Sequence, residues 1–580
     1  MHQFALLKGF FVEHRRQYAL GIMFLVLTDL LQLILPRILG NFADDFQQKS
    51  LTGTAIWKYS LLVILVSLAL ALCRYFWRLH VQGASRKLEF YLRQRFLGHL
   101  IQLPPSFFDR QKTGELMALA TNDISAVRMC FGIGVVMLTD TLVLTLVALY
   151  LMFFTVHMSL TLLALIPLPL MALAATRFSS LIHRRFKEVQ AAFADLTGNV
   201  QETLTGIRVV QTFAQEESRL AGFAKYNLAS LEANLRLAKA AGLLFPLIQF
   251  LAALSFLAVL GYGGSLVVKG MISLGDFVAF NGYLAALTWP MMALGWLINL
   301  IQRGIASMER LNRIFSLEPA PAAKGPFLGT PKAKGDIRVQ NLSFTYPGSS
   351  RPALRHLHFQ IGQGQTLALV GRTGAGKSTL LQLLLRIYEP PEKTIFLDER
   401  DILTWPREIL RQNIGYVPQD PFLFSTSIKD NIAYGSEVCD LEKVRAAARA
   451  AQLEEEIMDF PGGFDALVGE RGVTLSGGQK QRLAIARALY PDPQLLLLDD
   501  CLAAVDAATE RAILRNLQKL RRHRTTIIAS HRLSSVQDAD WIIVLEEGQI
   551  CEEGTHHQLL ARQGSYYQLY QKQLLEEELE

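Results

Sequence analysis

The chain has 580 residues, of which 51% are hydrophobic, with a mean hydropathy of +0.24 and a net charge of +7. A soluble chain of this length divides into several domains, but here the apolar residues are concentrated in the first half, in stretches long enough to cross a membrane. The excess of basic over acidic residues does not indicate a nucleic-acid partner. Lys and Arg lie mostly in loops beside the apolar stretches, and aromatic and basic residues are not interleaved.

The N-terminal sequence "MHQFALLKGFFVEHRRQ" has neither the early apolar region nor the cleavage site of a signal peptide, so we expect the first apolar span to be retained as a membrane anchor. The cysteines form neither a CxxC pair nor a metal-binding spacing, which indicates a reducing compartment or no special role. They are Cys73, Cys130, Cys439, Cys501 and Cys551.

The first half contains six candidate membrane spans, since a span needs about 20 apolar residues. The segment 129–176 is too long for one helix, and "FFTVHMSL" around His157 is the predicted turn between spans three and four. The short turn "KGMISLGD" separates spans five and six. The spans are expected at 17–36, 56–80, two within 129–176, 240–268 and 277–302.

Two long polar stretches, 81–128 and 177–239, follow spans two and four. Their amphipathic pattern predicts that the helices continue well beyond the bilayer, at about 1.5 Å per residue. Both stretches are rich in Arg and Lys, so the positive-inside rule places them, with both termini, in the cytoplasm.

A segment rich in Pro, Ala, Gly and Lys, 316–335, marks a linker. Strand-like and helical runs alternate after it, which is typical of an α/β domain. We therefore expect a membrane domain at 1–315 and a nucleotide-binding domain at 336–580.

The stretch "GRTGAGKST" fits the phosphate-binding P-loop pattern, between the apolar strand "TLALV" and the helical "LLQLLLRIY". Its glycines let backbone N–H groups wrap phosphate oxygens, Lys377 reaches the β- and γ-phosphates, and the Ser378 hydroxyl binds Mg²⁺. The predicted ATP-binding residues are Gly371, Arg372, Thr373, Gly374, Ala375, Gly376, Lys377, Ser378 and Thr379.

A second motif, "LSGGQKQR", makes the chain resemble the ATP-binding cassette (ABC) family over its whole length. In that family LSGGQ closes over the ATP held by a partner domain's P-loop. Read without the resemblance, it is a glycine-rich turn that opens a helix and offers an anion site. The motif residues are Leu475, Ser476, Gly477, Gly478 and Gln479.

Other family elements match in chain order. The resemblance implies that Tyr346 of "FTYP" stacks on adenine and that Gln419 binds Mg²⁺ and senses the membrane domain. It also implies that Asp499 holds Mg²⁺ through water and that His531 contacts the γ-phosphate. Two further segments match, "VGERG" at 468–472 and "AAVD" at 503–506, the D-loop.

Six spans ahead of one cassette resemble the half-transporter exporters, whose intracellular loops are similar to 107–128 and 212–223. The resemblance implies a type I exporter: a six-helix transmembrane domain followed by an α/β P-loop NTPase domain, in the cell membrane. Its loops would end in short coupling helices that rest on the cassettes. Because an ATP sandwich needs two cassettes, a second half-transporter is the expected partner.

The stretch "LLLLDD" ends a predicted buried strand with Asp499 and then Asp500. Most members of the family have glutamate at the second position, where it orients or polarises the attacking water. Aspartate has the same charge but is one methylene shorter, about 1.5 Å of reach, and a misplacement of about 1 Å costs on the order of a hundredfold in rate. Alternatively, backbone adjustment lets Asp500 serve as the catalytic carboxylate.

An aspartate at this position beside an intact LSGGQ resembles the degenerate half of heterodimeric bacterial multidrug exporters. The resemblance implies that this chain's P-loop forms a slow ATP site. Its LSGGQ would complete the hydrolytic site on the partner, which carries the glutamate.

Asp29 and Asp140 lie inside predicted spans one and three. A carboxylate there is costly and should face a cavity or a partner. It either attracts cationic substrates or serves as a vestibule or helix-packing group.

We expect an ATP-driven exporter of hydrophobic or cationic drugs or lipids; the alternative is an ATP-gated conductance or regulatory membrane complex. Inside-out vesicles distinguish the two, since only an exporter accumulates dye against a gradient.

Overall fold

The computed structural model describes residues 2–319, 332–436, 438–469, 472, 474–502, 504–521 and 524–579. The chain forms two compact units, one of residues 1–101 with 112–317 and one of residues 102–111 with 318–580. Most of the linker expected at 316–335, namely 320–331, lies outside the described residues.

The first unit contains six long apolar helices, which confirms the six expected spans. Short π-helical turns interrupt several of them, for example at Arg78–Gln82 and Val259–Gly263. The helices are α1 (Arg15–Gln47), α2 (Gly53–Gln102), α3 (Thr113–Val156), α4 (Met158–Thr205), α5 (Glu216–Val268) and α6 (Leu274–Phe315).

The apolar parts of these helices are mostly not covered by protein. In α2 only 11% of the most apolar window is buried. A helix that is apolar on its uncovered sides requires a non-aqueous surrounding, because exposing apolar surface to water is unfavourable. This exposure agrees with a membrane-spanning unit.

The helices extend beyond the expected spans through both polar stretches, as predicted. On these polar extensions, Asp123 of α3 accepts hydrogen bonds from Ser307 and Arg310 of α6. Glu89 of α2 pairs with Arg128 of α3. These ion pairs and hydrogen bonds therefore join α2, α3 and α6 beside fully buried apolar residues such as Ile124 and Met308.

The helix that carries span one continues past Pro36 to Gln47. Proline is tolerated inside membrane helices when neighbours accommodate it. Here Gly282 of α6 lies against the pyrrolidine ring: a Cβ at Gly282 would be 2.6 Å from Pro36 Cβ. The missing side chain lets α6 pack directly on the proline.

The second unit contains an antiparallel four-stranded sheet, in the order β2-β1-β4-β5, and a six-stranded sheet, in the order β10-β9-β3-β8-β7-β6. The strands are β1 (Ile337–Phe344), β2 (Leu354–Ile361), β3 (Thr366–Val370), β4 (Ile395–Leu397), β5 (Arg400–Asp401), β6 (Ile414–Val417), β7 (Leu495–Asp499), β8 (Thr525–Ser530), β9 (Trp541–Glu546) and β10 (Gln549–Gly554).

The six-stranded sheet has a core on each face, and the leucine run of β7 contributes to both. Leu496 and Leu498 pack in one cluster, whereas Leu495 and Leu497 pack in the other. All residues of β7 are buried. The prediction of a strand that is apolar on both faces is therefore confirmed.

Helices cover this sheet. They include α7 (Lys377–Leu384), α8 (Leu441–Ala450), α9 (Gly477–Leu489), α10 (Ala507–Arg521) and α11 (Ser565–Leu579).

Residues 102–111, from the first long polar stretch, belong to this second unit and contain the short helix Pro105–Phe108. The phenol of Tyr388 donates to Asp109, and Arg110 donates to the carbonyl of Pro347. The first loop thus supplies a short helix that packs on the α/β unit.

Candidate active site

Three neighbouring parallel strands end at one edge of the six-stranded sheet. Val370 at the end of β3 pairs with Ser530 at the end of β8, and Asp499 at the end of β7 pairs with Ala529. Ligands of open α/β sheets bind at the carboxyl ends of such strands. A cleft of ≈ 270 Å³ lies here, lined by P-loop residues, Tyr346, Gln419, Asp499, Asp500 and His531.

The P-loop needs glycine for steric reasons at its first and last glycine positions. A Cβ at Gly371 would lie 2.3 Å from the carbonyl oxygen of Leu545. Gly376 has φ +105°, and a Cβ there would lie 2.6 Å from Leu354. Gly374 has φ +84° but open space around it. The loop is therefore wedged against the protein at both ends and open in the middle.

Lys377 lies at the start of α7 and is only 6% exposed. Its Nζ donates to the carbonyls of Gly371 (2.7 Å) and Arg372 (3.2 Å), and lies 3.4 Å from His531 Nε2. Burial lowers the pKa of Lys377, while the carboxylates of Asp500 and Asp499 oppose this shift. A buried cation held by its own loop is suited to an anionic ligand.

Ser378 and Asp499 are joined directly, with the hydroxyl of Ser378 donating to Asp499 Oδ1 at 2.9 Å. Burial raises the pKa of Asp499, and the bond from Ser378 opposes the shift. Gln419 lines the same cleft. A hydroxyl, a carboxylate and an amide oxygen are the donor types that suit Mg²⁺, so these residues fit the predicted ion.

Tyr416 of β6 belongs to this group, although the sequence analysis did not find it. Its phenol hydrogen-bonds Asp499, and its pKa is raised, first by burial and then by the charge of Asp499. The only sequence signal was the position of Tyr416 three residues before Gln419.

Asp500 has a left-handed backbone with φ 45°, an uncommon conformation for a residue other than glycine. Its N–H donates to Ala529 O at 2.8 Å, and its Oδ1 accepts from the backbone N–H of His531 at 3.4 Å. The carboxylate is therefore directed at the loop after β8. Strained residues of this kind concentrate at functional sites.

Tyr346 also lies at the cleft. Its hydroxyl donates to Gln382 Oε1 (3.1 Å) and lies 2.9 Å from the hydroxyl of Thr379, both on α7, and its ring meets that of Tyr388 edge-on at 5.0 Å. The ring is thus fixed beside the P-loop helix, and its contact with adenine stays a prediction.

The signature residues form a second cleft of ≈ 440 Å³, lined by Ser476, Gly477, Gly478 and Asp506 among others. Ser476 caps α9, and its side chain and that of Gln479 form a reciprocal capping box. This leaves the first N–H groups of α9 directed outward, as an anion site requires. The lining residues of the two clefts are entirely different.

Glu456 anchors α9, the helix that the signature motif opens. Its carboxylate accepts from Gln479 and Arg482, and the hydrogen bond from Arg482 lowers the pKa of Glu456. The side chain of Gln481 accepts from the N–H of Ala504 at 2.9 Å, which links α9 to the predicted D-loop. In the matched segments, Glu470, Arg471 and Ala503 lie outside the described residues.

Asp29 and Asp140 belong to neither cleft. Asp29 is 4% exposed. Among the described residues, Asp29 Oδ2 and Asp140 Oδ1 are buried without a hydrogen-bond partner. Both carboxylates are therefore inside the six-helix unit, and the structure favours neither of the two expected roles.

Comparison with known proteins agrees with this arrangement. The family model "ABC transporter transmembrane region" matches residues 18–291, and the model "ABC transporter" matches residues 354–503. The chain is 39% identical to the probable multidrug resistance ABC transporter ATP-binding/permease protein YheI of Bacillus subtilis, covering 98% of this chain and 97% of that protein.

The chain belongs to the ABC transporter family. It is 37% identical to the multidrug resistance-like ATP-binding protein MdlA of Escherichia coli (100% of this chain, 98% of that protein). It is 32% identical to an ATP-dependent lipid A-core flippase of Syntrophus aciditrophicus (98% and 94%). The chain is thus a multi-pass membrane protein with an ATP-hydrolysing domain coupled to transport.

A solved structure gives the fold independently. A bacterial Atm1-family ABC exporter with ATP bound superposes with a TM-score of 0.79 and 27% identity, covering 98% of this chain and 100% of that one. The expected type I exporter fold, six membrane helices followed by a P-loop NTPase domain, is confirmed.

Replacing Gly371 by Ala should destabilise the second unit by more than about 3 kcal/mol, because the Cβ meets a backbone carbonyl. Gly374→Ala should cost only about 1–2 kcal/mol, the penalty of a left-handed backbone. Thermal unfolding of the full chain without nucleotide measures both. Gly435→Ala, with open space and no positive φ, is the control. Equal losses at Gly371 and Gly374 would contradict the wedged loop.

Proposed function

We propose that this chain is one half of a heterodimeric ABC exporter that uses ATP to move amphipathic drugs or lipids out across the membrane. The observation that carries this is the combination, in one chain, of Asp500 after the buried aspartate and a complete LSGGQ. Asp500 weakens hydrolysis at the ATP site on this chain's P-loop. The LSGGQ motif can complete an ATP site on another chain.

The position of Asp500 supports a slow site. Its carboxylate is engaged by the backbone N–H of His531 at 3.4 Å. Glutamate would extend the carboxylate by about 1.5 Å. Since water attack requires the base within hydrogen-bond reach of the water, the shorter side chain leaves this site poorly equipped for hydrolysis but still able to bind ATP.

The P-loop residues 371–379 would then hold the phosphates of ATP, and Tyr346 would face the adenine. Ser378, Gln419 and Asp499 would hold Mg²⁺, which neutralises phosphate charge when bound. His531, 3.4 Å from Lys377, would contact the γ-phosphate.

The second cleft supports the other half of the scheme. Because no residue lines both clefts, a single copy of the chain offers a phosphate-binding half and a signature half that face different nucleotides. Leu475 to Gln479 would close over ATP on the partner's P-loop. The competent glutamate is then on the partner.

The names of three relatives support the proposed substrate class. Two have names that give multidrug resistance and one is a lipid A-core flippase. Hydrophobic or cationic small molecules, taken from the bilayer, are therefore the proposed cargo. The basic content of the two long polar stretches supports a cytoplasmic position for them, for both termini and for the 336–580 domain.

Purified alone, the chain should bind ATP but hydrolyse it slowly, at most about one hundredth of the rate of the heterodimer, because the proposed catalytic glutamate is absent. ATPase assays on the chain with and without a co-expressed half-transporter that carries the glutamate measure this. Robust ATP turnover and dye transport by a homodimer would contradict the proposal.

Ser476→Arg and Lys377→Ala should differ in severity within the heterodimer. Arginine at the signature blocks approach of the γ-phosphate in the competent site, so turnover should fall by at least about a hundredfold. Lys377→Ala should weaken nucleotide occupancy of the slow site with a smaller loss. ATPase rates and photolabelling with azido-ATP separate the two effects. Equal and complete loss in both variants would argue against unequal sites.

Asp500→Asn should change heterodimer turnover by no more than about twofold, whereas Glu→Gln at the matching partner position should lower it by about a hundredfold or more. Asp500→Glu should leave ATPase equal or higher but lower dye efflux per ATP, since faster hydrolysis would release a cassette contact early. Both are measured on one preparation. If Asp500→Asn stops turnover, Asp500 is a working base.

A further inference from the structure

The loop after β8 carries His531 and is held on one side by Asp500. The backbone N–H of His531 donates to Asp500 Oδ1 at 3.4 Å, and its imidazole Nε2 lies 3.4 Å from the Nζ of Lys377. His531 follows the last residue of β8 and lies outside the strand. The position of its imidazole is therefore set by the loop and not by the sheet.

Gln573 of α11 holds the same loop on the other side. Its Nε2 donates to the carbonyl of His531, and its Oε1 accepts from the N–H of Leu533 at 2.8 Å. One amide group therefore binds the loop both at the histidine and two residues beyond it. Asparagine and glutamine are the side chains that can offer a donor and an acceptor in this way.

The helix that carries Gln573 is itself anchored. The Glu552 carboxylate accepts from the N–H groups of Ser565 (2.5 Å) and Tyr566 (3.1 Å) at the start of α11. The ring of Tyr566 is completely buried, and its hydroxyl lies 2.7 Å from His556 Nδ1. The start of α11 is thus fixed, and Gln573 lies about 10 Å further along the helix than Tyr566, at 1.5 Å per residue.

We propose that Gln573 is a positioning residue for nucleotide recognition: through its two hydrogen bonds, the C-terminal helix sets the place of His531 at the phosphate end of the cleft. His531 has that role only under the function proposed above, on which the inference rests. The backbone of His531 is fixed between Asp500 and Gln573, while its imidazole stays directed at Lys377. Loss of the anchor should therefore affect a ligand that has a γ-phosphate more than one that lacks it.

Gln573→Glu tests this in the full-length chain. The carboxylate can still accept from Leu533 but repels the carbonyl of His531. Binding of Mg-ATPγS should weaken by about threefold to tenfold, the effect of one lost hydrogen bond, whereas binding of Mg-ADP should change by less than about twofold. Gln571→Glu, the same change at an exposed position on the same helix, should alter neither. Calorimetric titration measures each affinity.

The same titrations with His531→Ala distinguish the outcomes. If Gln573 acts through the histidine, His531→Ala should show the same selective loss for Mg-ATPγS, and Gln573→Glu should add nothing to it. Equal weakening of both nucleotides by Gln573→Glu, or a full additional loss in the double variant, would overturn the positioning role alone. If His531→Ala leaves Mg-ATPγS binding unchanged, the proposed role of His531 fails and the role of Gln573 fails with it.

Discussion

The parallel pairing of β3, β8 and β7 is the constraint on which the nucleotide site depends. Each strand is followed by one functional group: the P-loop after β3, His531 after β8 and the two aspartates at the end of β7. In-register pairing brings these groups to one edge although Lys377 and His531, for example, lie 154 residues apart in sequence. The pairing is stable because alternate residues of each strand are buried in the two separate cores.

A second constraint is electrostatic. Lys377 is buried beside Asp499 and Asp500, and burial shifts the pKa of Lys377 downward and that of Asp499 upward. Each shift reflects the cost of burying a charge, partly offset by the opposite charge nearby. Lys377 donates hydrogen bonds to the carbonyls of its own loop. An anionic ligand would accept a stronger hydrogen bond from it than those carbonyls do.

Sequence patterns predicted the six spans, the buried strand β7 and the P-loop, because local hydropathy and glycine spacing determine them. Patterns could not locate Tyr416 or Gln573, whose contacts with Asp499 and His531 exist only after distant segments pack. The left-handed backbone of Asp500 was equally hidden, since aspartate is common in many conformations. Nor did the apolar pattern show that α1 continues past Pro36, because Gly282 of α6, which accommodates the proline, lies far away in sequence.

The contact of Pro36 with Gly282 has a mechanical meaning. A proline leaves the carbonyl four residues before it, here that of Gln32, without its helical donor. α1 therefore bends more easily near Pro36 than elsewhere. α6, which presses on that point, is also the helix that leads toward the linker and the nucleotide domain. A shift of α6 along its axis would reach α1 where α1 bends most easily. The part of the first helix after Pro36 would then tilt relative to the part before it.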